Sequence, residues 1–359
     1  MKHQDRVHAA RIAWRAVAAG VCLLLMQPGA GLALQHQSAR ADTPPQKRNE
    51  SERTSENERT SMDAQKRKVV FVAGRRSHGY GSHEHHAGSL LLSRLLNENH
   101  PQVESLVHEN GWPSDADAFD DAAAIVIFAD GGSGHPAVRH LDELGALMDR
   151  GVGLVLLHYA VEVEKETAGE QFLDWVGGYF ETHWSVNPHW SMRSLDFPDH
   201  PTTRGVLPYQ INDEWYYHMR FRDGMSGVQP ILSALPPASS LEREDGLHSG
   251  NPHVRAAVLE RNEPQHLAWA VERTDGGRGF GFTGAHWHWN WGHPMQRKLV
   301  LNAIVWAAGA EVPENGVDQG VVTMEDLEQN QDFTPDERFN RERWSQLVEQ
   351  WRREFPREK

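Results

Sequence analysis

Three unbroken apolar runs of strand length punctuate the chain: Val69-Val70-Phe71-Val72-Ala73, Ala124-Ile125-Val126-Ile127-Phe128 and Gly153-Leu154-Val155-Leu156-Leu157. Runs of this kind, without polar alternation, belong to strands buried on both faces. Between them the apolar positions change to helical spacing, with Leu90, Leu91, Leu95 and Leu96 in 83–97 and then Leu141, Leu144 and Met148. A short strand is predicted near 103–108, a further strand over 278–284 and a helix over 295–307 carrying Leu299, Leu301, Ile304 and Val305. Buried strands alternating with amphipathic helices predict an α/β fold of three layers, a mostly parallel sheet with helices on both faces. Ligands of such sheets bind at the carboxyl ends of the strands. The stretch 179–250 is rich in aromatic residues and Pro and reads as aromatic-rich insertions. Past Pro313 the chain turns polar, so 67–313 is expected as the α/β domain and 314–359 as a polar tail with a surface helix over 334–353.

The first 66 residues follow a different pattern. Lys2, Arg6, Arg11 and Arg15 precede the apolar run 16–26, and small residues follow, the layout of a secretory signal peptide over 1–41 cleaved after Ala33 or Ala41. Eleven apolar residues fall short of the roughly 20 that span a bilayer, so export to a periplasmic or extracellular space is expected, with no stable membrane anchor. Residues 42–66 are polar without periodicity and read as a disordered linker. Removal of residues 1–41, with five basic residues and one Asp, takes the net charge from −14 to −18. An acidic chain of this kind argues against nucleic acid as a partner. Mean hydropathy of −0.63 excludes a membrane-embedded bundle. Cys22 is the only cysteine and lies in the apolar run, so the folded body has no disulfide, no thiolate zinc site and no Cys nucleophile.

The 22 His and 13 Trp point to metal or proton chemistry and to flat apolar ligands. Their placement sharpens this: His78, His135, His158 and His286 each follow a predicted strand, so a parallel sheet gathers them on one edge. Two or three imidazoles with a carboxylate are the usual ligands of a catalytic divalent ion, and Glu214 is the carboxylate chosen. Hydrogen-bonding histidines in a metal-free polar cleft are the alternative. His83, His85 and His86, at a helix start, read as mostly solvated. In His286-Trp287-His288-Trp289-Asn290-Trp291-Gly292-His293, an extended backbone would set His286, His288 and Asn290 opposite three indoles; core packing of the indoles is the competing expectation. Gly131-Gly132-Ser133-Gly134 lacks the Lys-Ser/Thr of a phosphate loop, so no nucleotide is expected.

In order, Arg75-Arg76-Ser77-His78-Gly79, Asp130-Gly131-Gly132-Ser133-Gly134-His135-Pro136, Leu157-His158-Tyr159-Ala160-Val161-Glu162, Asp213-Glu214-Trp215-Tyr216 and Gly284-Ala285-His286 through Gly292-His293 resemble the ThuA-like (trehalose utilisation) family. The match covers roughly two thirds of the chain. That family lies within the class I glutamine amidotransferase-like superfamily, with a flavodoxin-like fold. The resemblance departs from true amidotransferases at the nucleophile: His158 stands where their Cys would, and no Glu follows two residues after His286, only His288. Glutaminase chemistry is thereby excluded. What the resemblance implies instead is sugar metabolism: a metal-assisted hydrolase, lyase or isomerase acting on 3-keto-glycosides that a partner sugar dehydrogenase of the same pathway supplies.

On that reading His78, His158, His286 and Glu214 hold a divalent metal, zinc or manganese. His158, Glu214, His135 and Glu162 are the candidate catalytic residues, with His135 and Glu162 as proton carriers or orienters. Trp215, Tyr216, Trp287, Trp289, Tyr159 and Asp130 are expected to bind substrate. A non-catalytic carbohydrate-binding module, or a scaffold that has lost catalysis, are the rival expectations.

Overall fold

A computed structural model describes residues 66–357. The signal peptide and most of the linker expected at the N-terminus lie outside the described residues.

The elements of the sheet and its layers are β1 (Arg67–Ala73), α1 (His85–Asn99), β2 (Val103–His108), β3 (Ala122–Phe128), α2 (Leu141–Asp149), β4 (Gly153–Leu157), α3 (Glu170–Val176), β5 (Gly178–Tyr179), β6 (His189–Arg193), β7 (Gln210–Glu214), β8 (Arg220–Phe221), β9 (Val228–Ala234), α4 (Pro252–Arg255), β10 (Gln265–Glu272), β11 (Arg278–Phe282) and α5 (Pro294–Ala307). Seven strands join in the order β2-β1-β3-β4-β11-β10-β9. All neighbours are parallel except at β10, which runs against both β11 and β9. The expected three-layer α/β sheet is therefore present.

Each apolar run divides its side chains between the two faces. Val69, Phe71, Val126, Phe128, Val155 and Leu157 join one core, with the leucines of α1 and the apolar face of α5. Val70, Val72, Ile125, Ile127, Leu154 and Leu156 join the other, with Leu144 and Met148 of α2 and Phe172 of α3. Side chains alternate across a strand, so only a strand covered on both sides needs apolar residues at every position. The connection leaving β1 runs to one side and that leaving β3 to the other, and a switch point opens between their carboxyl ends.

The insertions between α3 and β10 include the hairpin β6–β7, with Glu214 opposite His189, and the short pair β5–β8, while β9 closes the sheet edge. The segment 286–293 is not extended. Residues His288–Gly292 coil into a 3₁₀ turn, and Trp289 and Trp291 are buried in the core. The reason is the tail. Helix α6 (Met324–Leu327) and helix α7 (Arg341–Glu354) bring Phe339 to stack on Trp289 at 4.8 Å, with Trp344 beside it.

Helix α7 starts at Arg341, later than the periodicity predicts, because Asn340 caps it by accepting from the Arg343 N–H. It buries Val348 and Trp351. Buried Arg297 of α5 anchors the same region, donating to the carbonyls of Trp291, Gln319 and Gly320. Among the described residues no helix is long and apolar enough to cross a membrane.

Candidate functional site

Four strand ends and one hairpin deliver polar side chains to a single point above the sheet. β1 leads into the loop that carries His78 and His83; β3 ends at Asp130, β4 at His158, β7 at Glu214, and β11 leads to His286. Three of the delivering positions have left-handed backbone: His83 (φ 51°), His158 (φ 54°) and Ala285 (φ 84°). Such conformations are strained for residues with a Cβ and persist where the surroundings impose them. At Ala285 the cause is visible. Buried Asp213 accepts hydrogen bonds from the N–H groups of Ala285 (2.7 Å), Glu214 (2.9 Å) and Trp287 (3.3 Å), tying the turn before and after His286 to the end of β7.

Close approach of the loops requires glycine twice. A Cβ on Gly131 would lie 2.3 Å from the Tyr159 carbonyl oxygen, and one on Gly81 would meet the Trp289 ring at 2.4 Å. Glu84, beside His83, accepts from the Gly81 and Asp332 N–H groups, so the tail helps to fix the histidine loop. Burial pushes the Glu84 carboxyl up to about 7.

At the centre His83 Nε2 lies 3.0 Å from His286 Nδ1 and 3.2 Å from His158 Nε2. Glu214 Oε2 is 3.0 Å from His286 Nδ1 and 3.6 Å from His158 Nε2. One donor atom from each of these four residues falls within 4.8 Å of all the others, near enough that a small inward shift would let them share one ion.

The outer nitrogens define the tautomers. His158 Nδ1–H donates to the Thr283 carbonyl at 2.8 Å, and His83 Nδ1–H donates to Asp130 Oδ1 at 3.1 Å. With those hydrogens so placed, the 3.2 Å contact between the two Nε2 atoms joins two lone pairs. Tyr216 Oη lies 3.2 Å from His158 Nε2, and His286 Nδ1 lies 3.0 Å from both His83 Nε2 and Glu214 Oε2; as a ligand through Nδ1, His286 would carry its hydrogen on Nε2. Imidazoles locked by a carbonyl or carboxylate on the outer nitrogen, with inner lone pairs converging, are the arrangement of metal-binding histidines.

Electrostatics agrees. Burial, then the neighbouring imidazoles, hold His83 far below the ordinary imidazole value; burial and His83 do the same to His158. Burial raises Glu214, but the His286 hydrogen bond and the nearby imidazoles outweigh it and leave its carboxyl below the usual range. Burial lifts the hydroxyls, Tyr159 to about 12 and Tyr216 well above the usual phenol value.

The structure brings together His158, His286, Glu214 and Tyr216, and sets Tyr159 and Asp130 against His83. Other expected residues fall elsewhere. His78 is outside the tight cluster, 41% exposed and stacked on His83 at 3.6 Å; His83 takes the place expected for it. His135, expected as a proton carrier, accepts from the Ala137 N–H and points Nε2 at the Ala160 carbonyl, so both nitrogens serve the backbone. Trp215 is fully buried, donates to the Ile211 carbonyl and packs edge-on against Phe282. Neither it nor Trp289 can grip a ligand. Trp287 remains half-buried at the mouth, facing His189 at 5.7 Å and His286 at 4.6 Å. Glu162 is buried and pairs with His248 at 3.1 Å.

Sequence reasoning passed over His83, Asn187, Asp213 and His248 as site residues. Asn187 donates to Glu214 Oε1. His83 shared with His78 the one signal available, that of a histidine in the loop after the first strand of the switch point.

Comparison with known proteins follows the same line. The sequence model of the family described as "ThuA: Trehalose utilisation" matches residues 68–307. No curated protein matches the chain. Among solved structures, a ThuA-like protein from Bacteroides uniformis is 16% identical, with a TM-score of 0.49, covering 68% of this chain and 92% of its own. A ThuA-like protein from Parabacteroides merdae is 14% identical, with a TM-score of 0.44, covering 70% of this chain and 97% of its own. The family match spans every strand of the seven-stranded sheet and all the residues of the histidine cluster, and the chain belongs to the ThuA (trehalose utilisation) family.

Proposed function

We propose that this protein is an exported enzyme of carbohydrate metabolism, a metal-assisted hydrolase, lyase or isomerase of 3-keto-glycosides without glutaminase activity. The observation that carries the metal is the 3.2 Å contact between His83 Nε2 and His158 Nε2, both without a hydrogen once their outer nitrogens have donated. His83, His158, His286 and Glu214 are the ligands, and zinc or manganese suits their mixed nitrogen and oxygen donors. A bound divalent ion supplies a Lewis acid for a carbonyl oxygen.

A ketone at carbon 3 acidifies the hydrogen on carbon 2, so removal of that proton leads either to expulsion of the anomeric group or to isomerisation. Proton movement falls to groups around the cluster. Tyr216 Oη reaches both His158 Nε2 and Glu214 Oε2, and Glu162, a buried carboxylate, is hydrogen-bonded at 3.1 Å to the part-exposed imidazole of His248. Trp287 offers an indole face at the mouth for the C–H face of a sugar ring. Substrate comes from a sugar dehydrogenase acting first on the neutral glycoside.

The test is turnover of a 3-keto-glucoside by protein 42–359, with and without chelator, and by His158→Ala. Loss of at least a hundredfold in both cases is expected. Equal turnover by the variant would refute the reading. Glycan binding that survives chelator, without turnover, would favour a carbohydrate-binding module.

A further inference from the structure

We propose that Asp130, His85 and His78 form a second divalent-cation site on the far edge of the His83 ring, open to solvent through the cleft at the sheet's switch point. The inference rests on the first site only in sharing His83 as a neighbour. Its own evidence is His85. That ring is fully buried, packed edge-on against Phe128. Nδ1 lies 3.2 Å from the Arg75 carbonyl, which accepts only, so the ring hydrogen is on Nδ1. Nε2 is left as a lone pair with no hydrogen-bond partner, and it lies 3.7 Å from Asp130 Oδ1.

A buried lone pair this close to a carboxylate oxygen is unfavourable unless a positive charge joins them. Two donors each about 2.1 Å from one ion stand roughly 3–3.5 Å apart, so a small rotation of Asp130 or His85 closes the site. The same carboxylate oxygen is 3.7 Å from His78 Nδ1. His78 is part-exposed and its Nδ1 also meets Ser77 Oγ at 2.8 Å, a bond that gives way when the ring turns to a cation. Asp130 keeps the His83 hydrogen bond and offers the ion its remaining lone pairs, so His83 stays a neutral ligand of the first site.

The cleft supplies the remaining coordination positions. It encloses about 460 Å³ between the ends of β1 and β3 and is lined by Gly74, Arg75, Trp112, Asp130, Ser133 and Arg139. Water or a substrate hydroxyl reaches Asp130 from there, as expected where ligands of doubly wound sheets bind. Arg75 shares the cleft, and its guanidinium donates to the Asn110 carbonyl on the wall. Two ions flanking one imidazole would give the site two Lewis acids, with Asp130 coupling them.

The test is metal content after incubation of tag-free protein with Zn²⁺ and desalting, followed by Co²⁺ absorption spectra. Two equivalents per chain are expected in the parent. One is expected in His85→Ala and in His78→Ala, each keeping the Co²⁺ bands that His158→Ala loses. His78→Ala decides alone should His85→Ala fail to fold, since His78 is part-exposed. One equivalent in the parent, unchanged in His78→Ala and lost in His158→Ala, would overturn the second site while leaving the first intact. Two equivalents retained in His78→Ala would also overturn it. No bound zinc in the parent would overturn both.

Discussion

Single residues decide the chemistry through the hydrogen bonds behind them. His158 is a ligand candidate because Thr283 takes its Nδ1 hydrogen, and His83 because Asp130 does. The strand-end rule made His158 and His286 legible in the sequence, since position after a buried strand in a parallel sheet fixes which edge a residue occupies, whereas Glu214 arrives on a hairpin outside that sheet. It misplaced His78, because the loop after β1 is long and the sequence carries no sign of which of its histidines turns inward. Asp213 was hidden for another reason: its role is to accept backbone N–H groups from a turn more than 70 residues away. Its carboxylate is fully buried, and without it three N–H groups lose their acceptor. Asp213→Ala is therefore expected to cost about 3 kcal/mol or more, measured by chemical denaturation, and to weaken metal retention. An unchanged midpoint together with unchanged metal content would show that the turn holds His286 without it.

At the level of elements, the unbroken apolar strands and the spacing of α1, α2 and α5 were readable because their periods follow from burial alone. The Trp-rich segment was not. Period-2 alternation fits an isolated extended strand, but the 3₁₀ turn at His288–Gly292 answers to partners contributed by the tail: Phe339, Trp344 and the face of α7 that buries Val348. The tail also donates the Asp332 N–H to Glu84 and places Gln331 Oε1 3.0 Å from the Gly81 N–H, next to the loop that carries His83. It is thus part of the wall of the site. Phe339→Ala is expected to lower stability by roughly 2 kcal/mol through lost aromatic contacts and to open the tail to proteases ahead of global unfolding. Limited proteolysis with mass mapping reads this, and cleavage no faster than in the parent would argue that the tail is held independently of that stack.

For the whole molecule, buried neutral histidines outside the cluster make stability depend on pH. Burial holds His135 at about 4 in the fold, against the Ala160 hydrogen bond that favours its charged form; burial, with Arg297 nearby, holds His293 at about 3. Both would titrate near 6.5 in the unfolded chain. The unfolded state then takes up protons first, so this stability is complete above pH 6.5 and is lost as pH falls toward the folded values. Between pH 7 and pH 5 the loss is on the order of 2 kcal/mol for each histidine. Urea unfolding at the two pH values measures it, and His135→Gln should lose about 2 kcal/mol less than the parent over that interval; an identical loss would contradict the assignment.

The fold as a whole places a switch point, a strained His158 and an aromatic tail around one cluster of imidazoles. The most direct measurement is elemental analysis of tag-free protein alongside His158→Ala and Glu214→Ala. Bound zinc or manganese in the parent, reduced by one equivalent per chain in each variant with the fold intact by circular dichroism, is the predicted result. A parent that takes up no divalent metal, or variants that keep the parent's full content, would contradict a metal centre at His83, His158, Glu214 and His286.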